Sequence, residues 1–283
     1  MASSTVRIIT DSSCDLPDSV VRDLGIEVVP LFIRFGDDEL IDREQLSTAE
    51  FWKRCSIVED LPSTAAPSPG RFEQAIAKVA GEGATGVLVI NLSGALSGTL
   101  QSAEVAVESM KSKVDVRVVD SHTVSMGLGA IVVACAEAAR KGESLDAVEA
   151  LAHDLSGRCK LWGALDTLEN LKKGGRIGGA KAMLGTVLSI KPIIEVREGV
   201  VQEGGKQRTR SKALAFLVDK VEETLAGPGI QWLSVLHADC DDVQDFVEML
   251  RVVYPGEIMI GEIGPVVGSH AGRGTIGVAF IEN

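Results

Sequence analysis

The chain has 283 residues and carries 28 Lys and Arg against 40 Asp and Glu, a formal net charge of −12; such a surface repels nucleic acid and anionic membrane as a whole. That length suits one large domain or two ordinary ones, and with aromatic residues at only 4% the interior must be Val, Ile, Leu and Ala. Five cysteines, Cys14, Cys55, Cys135, Cys159 and Cys240, are odd in number and include no CxxC, which speaks against a disulfide framework or a zinc site.

Residues 6–10 form a short apolar run that predicts a buried strand, ending in Asp11 and Ser12. A short helix is expected over 17–24, closed by Gly25. Residues 27–34 and 39–42 predict a hairpin around Gly36, Asp37 and Asp38. Ser47 and Glu50 have capping-box spacing, so a helix starts there. Residues 61–70 hold three prolines and predict a loop, with Ser68 capping the next helix and Pro69 in its first turn. Phe72, Ala75, Ile76 and Val79 give that helix an apolar stripe. Strands are expected over 86–91 and 114–119, with a helix between them reaching about Met110 and helices after them to Arg140 and over 144–155. This alternation predicts a parallel sheet covered on both faces, with ligands at the carboxyl ends of its strands.

After Gly157 the pattern changes. A strand over 160–165 and a short helix over 168–173 precede a glycine-rich turn at 174–179. Residues 192–197 and 200–202 predict a hairpin turning at Glu198 and Gly199. Two amphipathic helices, around 214–225 and 243–250, alternate with strands over 231–236, 257–260 and 278–281. We therefore expect two α/β domains, 1–157 and 158–283, the first a parallel-sheet three-layer sandwich and the second with a mixed sheet. Residues 1–11 carry no leader pattern, and the apolar stretch 124–136 is too short to span a bilayer, so a cytoplasmic protein is expected.

The segment 264–277 sets His270 among glycines, read as a turn between two late strands. A histidine so placed can offer a ring N–H to a bound group. Gly272, Gly274 and Gly277 match G-x-G-x-x-G, but a strand follows where a dinucleotide site needs a helix. No phosphate-binding P-loop motif occurs. Ser93, Gly94 and Ser97 lie between a strand and a helix, where hydroxyls and backbone N–H groups hold an anion. The same serines paired with His270 fit a nucleophile and its base, although Ser97 stands one position too late for the G-x-S-x-G elbow. Two basic clusters, Lys172, Lys173 and Arg176, then Lys206, Arg208, Arg210 and Lys212, read as solvated charge or as a docking face for an anionic partner. His122, His153 and His237 have no metal spacing and are read as structural.

Taken together, these segments resemble the DegV family, the fatty-acid-binding carrier subunits of bacterial fatty acid kinase. The resemblance runs through residues 8–12, 64–70, 93–103, 168–177 and 264–277, with departures at Ala65, Ala66 and Arg273. It implies a lipid tunnel near the junction of two α/β domains, with a fatty-acid carboxylate held by Thr64, Ser93 and His270. Gly94 and Ser97 belong to the same expected ligand site. Arg176 and Arg208 would serve kinase docking or the product. The implied function is to bind a long-chain fatty acid and present its carboxylate to a separate ATP-dependent kinase, giving an acyl phosphate for phospholipid synthesis. The implied partners are that kinase and, transiently, a membrane surface or an acyltransferase, with no nucleic acid. No metal or cofactor beyond the lipid, and no catalysis by this chain alone, are expected. A Ser/His-dependent lipid or ester hydrolase and a lipid-responsive regulatory module are the alternatives.

Overall fold

The computed structural model describes residues 5–58, 60–185 and 190–283. Residues 1–4, part of the segment read for a leader, lie outside them. The chain opens on strand β1 (Val6–Asp11), followed by a 3₁₀ turn at Ser12–Cys14. Helix α1 (Asp18–Leu24) ends at Gly25, which takes the left-handed conformation at φ 64°, as a helix-terminating glycine does. The single strand expected over 27–34 is two, β2 (Glu27–Val29) and β3 (Phe32–Phe35). Pro30 lies at the break, where it lacks a ladder N–H, and the two halves join different sheets. The hairpin partner of β3 is β4 (Asp38–Ile41). Helix α2 (Thr48–Cys55) starts where the Ser47 hydroxyl accepts the Glu50 N–H.

The proline-rich segment is not all loop. Its residues 63–65 form β5 (Ser63–Ala65), which pairs with β3 and sets Thr64 opposite Ile33. Helix α3 (Pro69–Gly81) buries the expected stripe of Phe72, Ala75, Ile76 and Val79. Ser68 stands at its N-cap, yet its side chain makes no capping bond; Pro69, with its preset φ, begins the helix instead. Strand β6 (Gly86–Asn91), helix α4 (Thr99–Met110) and strand β7 (Asp115–Asp120) complete a four-stranded parallel sheet in the order β2-β1-β6-β7.

Helices α5 (Ser125–Arg140) and α6 (Leu145–Arg158) come next. The rest of the chain contributes β8 (Cys159–Ala164), α7 (Glu169–Lys173), β9 (Lys191–Arg197), β10 (Val200–Gln207), α8 (Arg210–Ala226), β11 (Ile230–His237), α9 (Val243–Val253), β12 (Ile258–Glu262), α10 (Pro265–Ala271) and β13 (Ile276–Glu282). Its six strands form one sheet in the order β10-β9-β8-β13-β11-β12, antiparallel except for β11 with β12. The late glycine segment, expected as a turn, contains helix α10. A Cβ on Gly268 would come within 2.7 Å of Trp52 and 2.8 Å of Phe51. That glycine therefore serves close helix packing against α2 rather than a bend.

The parallel sheet draws its strands from residues 6–120 and the mixed sheet from residues 159–282. One apolar core nevertheless runs through both, joining Ile8 and Leu88 to Leu161 and Ile281. Helix α5 is the link. It touches β1 and β6 on one side and β8, β11 and β13 on the other, and eleven of its sixteen residues are buried.

Gly129 of α5 shows how tightly it fits, since a Cβ there would lie 2.9 Å from the Cys14 carbonyl oxygen and 2.9 Å from Leu16. Helix propensity favours Ala over Gly by about 1 kcal/mol, but overpacking against backbone costs about 1–3 kcal/mol. Gly129→Ala is expected to lower stability by a net of up to about 2 kcal/mol in urea unfolding; an equal or higher midpoint would show that the helix can shift to make room.

Candidate ligand-binding site

A cavity of about 770 Å³, counted out to solvent, lies between the carboxyl end of the parallel sheet and the face of the mixed sheet. Leu92, Leu96 and Val124 wall it on the first side, and Leu161, Ile194, Val196 and Leu236 on the second. Helix α10 adds Val266, Val267 and Ala271. Six polar side chains reach the wall: Thr64, Ser97, Ser125, Arg176, His270 and Thr275. Two of them are engaged away from it, Ser125 with Asp15 and Thr275 with the Ala271 carbonyl. A surface depression lined by Leu61, Pro62, Asn170 and Lys173 shares Thr64, Arg176 and His270 with the cavity. Those three residues therefore stand where the apolar interior meets the outside.

Thr64 Oγ1 and His270 Nε2 are 3.0 Å apart, across 206 positions of sequence. The β3–β5 pairing fixes Thr64, and the last turn of α10 carries His270. Asn170 Nδ2 donates to the Ser269 carbonyl at 3.4 Å and so ties α10 to α7. Gly174 lies close against the imidazole: a Cβ there would be 2.2 Å from Nδ1. That nitrogen is buried without a hydrogen-bond partner among the described residues. Burial first, and the nearby Arg176 guanidinium second, push the His270 pKa down to about 4, so the ring is neutral near pH 7. Arg176 is itself held by donating from Nε to the Leu96 carbonyl at 2.9 Å and from Nη1 to the Gly174 carbonyl at 2.8 Å. One fixed cation, a hydroxyl and a neutral imidazole at the rim of an apolar cavity suit a small anionic group.

The other expected site residues are distributed differently. Ser97 lines the cavity, with its Oγ 2.9 Å from Thr99 Oγ1. Ser93 is fully buried outside the lining; its hydroxyl donates to the Gly199 carbonyl at 2.7 Å and accepts the Ala95 N–H at 3.2 Å. It joins the loop after β6 to the β9–β10 turn. Gly94 donates its N–H to Asp120 at 3.2 Å. The nucleophile–base pair weighed for a hydrolase is not formed, because the hydroxyl on His270 is that of Thr64. Arg208 is exposed between β10 and α8 and lines neither the cavity nor the depression. Within the second basic cluster, Arg210 is turned inward onto Asp242, with both contacts at 2.9 Å. Arg273 pairs with Asp239 at 2.5 Å, away from the mouth. Gly174 was not among the expected site residues, although its place in the Gly-Gly-Arg run marks a close approach of backbone.

Fold and site together define an α/β protein with an apolar cavity between its two larger sheets and polar side chains gathered at its rim. Residues 5–283 match the family model described as "Uncharacterised protein, DegV family", and the chain belongs to the DegV family. A DegV domain-containing protein from Deinococcus radiodurans is 37% identical over 98% of both chains. A DegV family protein from Thermus thermophilus, solved in a study of its fatty acid binding, is 34% identical with a TM-score of 0.88, covering 99% of this chain and 100% of its own. DegV from Bacillus subtilis, described as a fatty acid binding protein, is 26% identical with a TM-score of 0.89 over 99% and 100% of the two chains.

The state of His270 has a measurable consequence. The unfolded chain takes up a proton near 6.5, while the folded ring does so near 4. Stability tied to the neutral ring is therefore present above pH 6.5 and is lost as pH falls toward 4, by at most about 3 kcal/mol. His270→Asn removes this term, so the stability of the variant relative to the parent should rise between pH 7 and pH 4. The buried acids Asp15 and Asp42, raised to about 7 and about 6, act in the opposite sense but cancel in that comparison. A difference that stays constant across this range would mean that the folded ring takes up its proton at the same pH as the unfolded one.

Proposed function

We propose that this protein binds a long-chain fatty acid, with its tail in the apolar cavity and its carboxylate at Thr64, His270 and Arg176, and presents that carboxylate to a separate ATP-dependent kinase. The observation that carries the reading is the meeting of an apolar cavity and an outward depression at those three side chains. The binding described for the Thermus thermophilus and Bacillus subtilis relatives supports carrying the ligand class over to this chain. A tail offers about 0.8 kcal/mol per buried CH₂, on the order of 10 kcal/mol for a long chain before ordering costs. The rim neutralises one negative charge. In the kinase step a carboxylate oxygen attacks the γ-phosphorus of ATP, a C–O–P linkage forms, and the bond to the leaving ADP breaks. An exposed headgroup is what such a transfer between proteins needs. Ser97 follows Leu96, whose carbonyl holds Arg176, and lines the cavity, while Ser93 acts from behind by holding the β9–β10 turn.

Denaturing the purified protein, extracting it with organic solvent and weighing the extract is expected to yield about one fatty acid per chain. An empty extract, also after incubation with a panel of fatty acids, would end the lipid reading. Thr64→Val and His270→Leu should each lower retained lipid roughly tenfold or more, the loss of a hydrogen bond to a charged group, and undiminished retention in both would move the headgroup elsewhere. The kinase step is read separately: lipid-loaded protein, ATP and a fatty acid kinase subunit should give a hydroxylamine-sensitive acyl phosphate. Retained lipid with no phosphoryl transfer would leave a binding protein of a different purpose.

A further inference from the structure

Gly163 is the one glycine among the described residues that line the apolar cavity. It lies in β8, an inner strand of the mixed sheet with β9 on one side and β13 on the other. Glycine inside a strand costs stability and packs nothing, so it marks a bulge, a bend or a close approach. The pairing of β8 is regular through Gly163 on both sides, opposite Ile194 and Gly277, and its φ is outside the left-handed region. Neither a bulge nor a turn accounts for it.

The two glycines that face each other across β8 and β13 serve different ends. A Cβ on Gly277 would lie 2.3 Å from the Trp162 carbonyl oxygen and 3.2 Å from the Gly163 Cα, so backbone contact within the sheet demands that glycine. A Cβ on Gly163 would meet nothing closer than Ile194 and Leu165, each at 3.6 Å, an ordinary van der Waals contact. The sheet therefore has room for a side chain at position 163. Leu161, two residues back on the same face of the strand, lines the cavity, so a side chain at 163 would enter it.

The missing side chain leaves a dimple in a wall built of larger ones. Leu161 and Leu165 bound it along the strand, Ile194 bounds it across on β9, and Leu236 of β11 bounds it beyond Gly277. A recess bounded in this way accommodates a sideways bulge rather than added length. A straight saturated tail runs past it and forfeits the contacts it offers, whereas a tail that bends there fills it. We infer, resting on the fatty-acid reading of this cavity, that Gly163 is a specificity-determining residue whose dimple favours a tail bent by a cis double bond over a straight one.

The test is competitive loading of the delipidated full chain with two pairs of acids of equal length, palmitoleic against palmitic and cis-vaccenic against stearic, which place the bend at different depths. The protein is re-isolated, and its extract is weighed by mass spectrometry. The parent is expected to retain the bent acid at least threefold over its straight partner in one pair or both. Gly163→Ala should shrink that ratio, and Gly163→Val should bring it to one or below, while the straight acids are still retained. Urea midpoints of both variants should equal or exceed that of the parent, because the sheet has room for the added atoms and gains a better strand former. A parent that prefers the straight acid in both pairs, or shows no preference, would overturn the inference. So would ratios that do not move in the variants, or an equal loss of bent and straight acids. Variants that fail to fold would show that the sheet itself needs this glycine, which overturns it too. A parent that retains none of the four acids would end the fatty-acid reading, and this inference with it.

Discussion

Burial of α5 on both sides is the constraint from which the rest of this structure follows. A helix apolar around most of its circumference must be covered all round, and here the parallel sheet covers one side and the mixed sheet the other. Its small residues allow both to come close: a Cβ on Gly127 would lie 3.2 Å from Cys159 of β8, and one on Gly129 would lie 2.9 Å from the Cys14 carbonyl just after β1. The sheets are thereby held at a fixed separation. Where α5 begins, at Val124 and Ser125, that separation is no longer filled by helix, and the cavity opens.

The rim of the cavity is assembled from segments far apart in the chain. Thr64 arrives on a three-residue strand, His270 on the last turn of a seven-residue helix, and Arg176 after α7. Neither short element would persist alone; each is held by what it packs against. Electrostatics then divides the labour. Burial first, and the Arg176 guanidinium beside it second, keep the imidazole neutral. A single anionic group arriving between them meets one full charge and donors, with little like-charge repulsion to overcome.

Much of the fold could be read from periodicity. The apolar stripe of α3, the Ser47 cap and the β9–β10 hairpin all follow local rules, and local rules are visible in one sequence. What escaped reading depends on distant partners. Residues 63–65 are a strand only because β3 lies alongside, and the prolines at 62, 67 and 69 around them read as loop. Gly268 reads as a turn, but its missing side chain is needed by Trp52 and Phe51, some 200 positions upstream. The pairing of Thr64 with His270 was suggested by family resemblance, and no local pattern contains it. Ser93 shows the converse: its sequence context suggests a ligand, yet its hydroxyl is taken by Gly199, which only the folded chain brings near.

The outward depression joins the cavity at its polar end. On the proposed reading, a lipid using that opening goes in methyl end first and comes out carboxylate first. Release then begins with the group that water solvates best and proceeds by withdrawing the tail one methylene at a time, each costing about 0.8 kcal/mol. The headgroup contacts are surrendered early, whatever the tail, so chain length is written into how long a bound lipid stays. Two fatty acids with identical rim contacts would be told apart by dwell time, and a partner that acts on the carboxylate would sort its substrates by waiting.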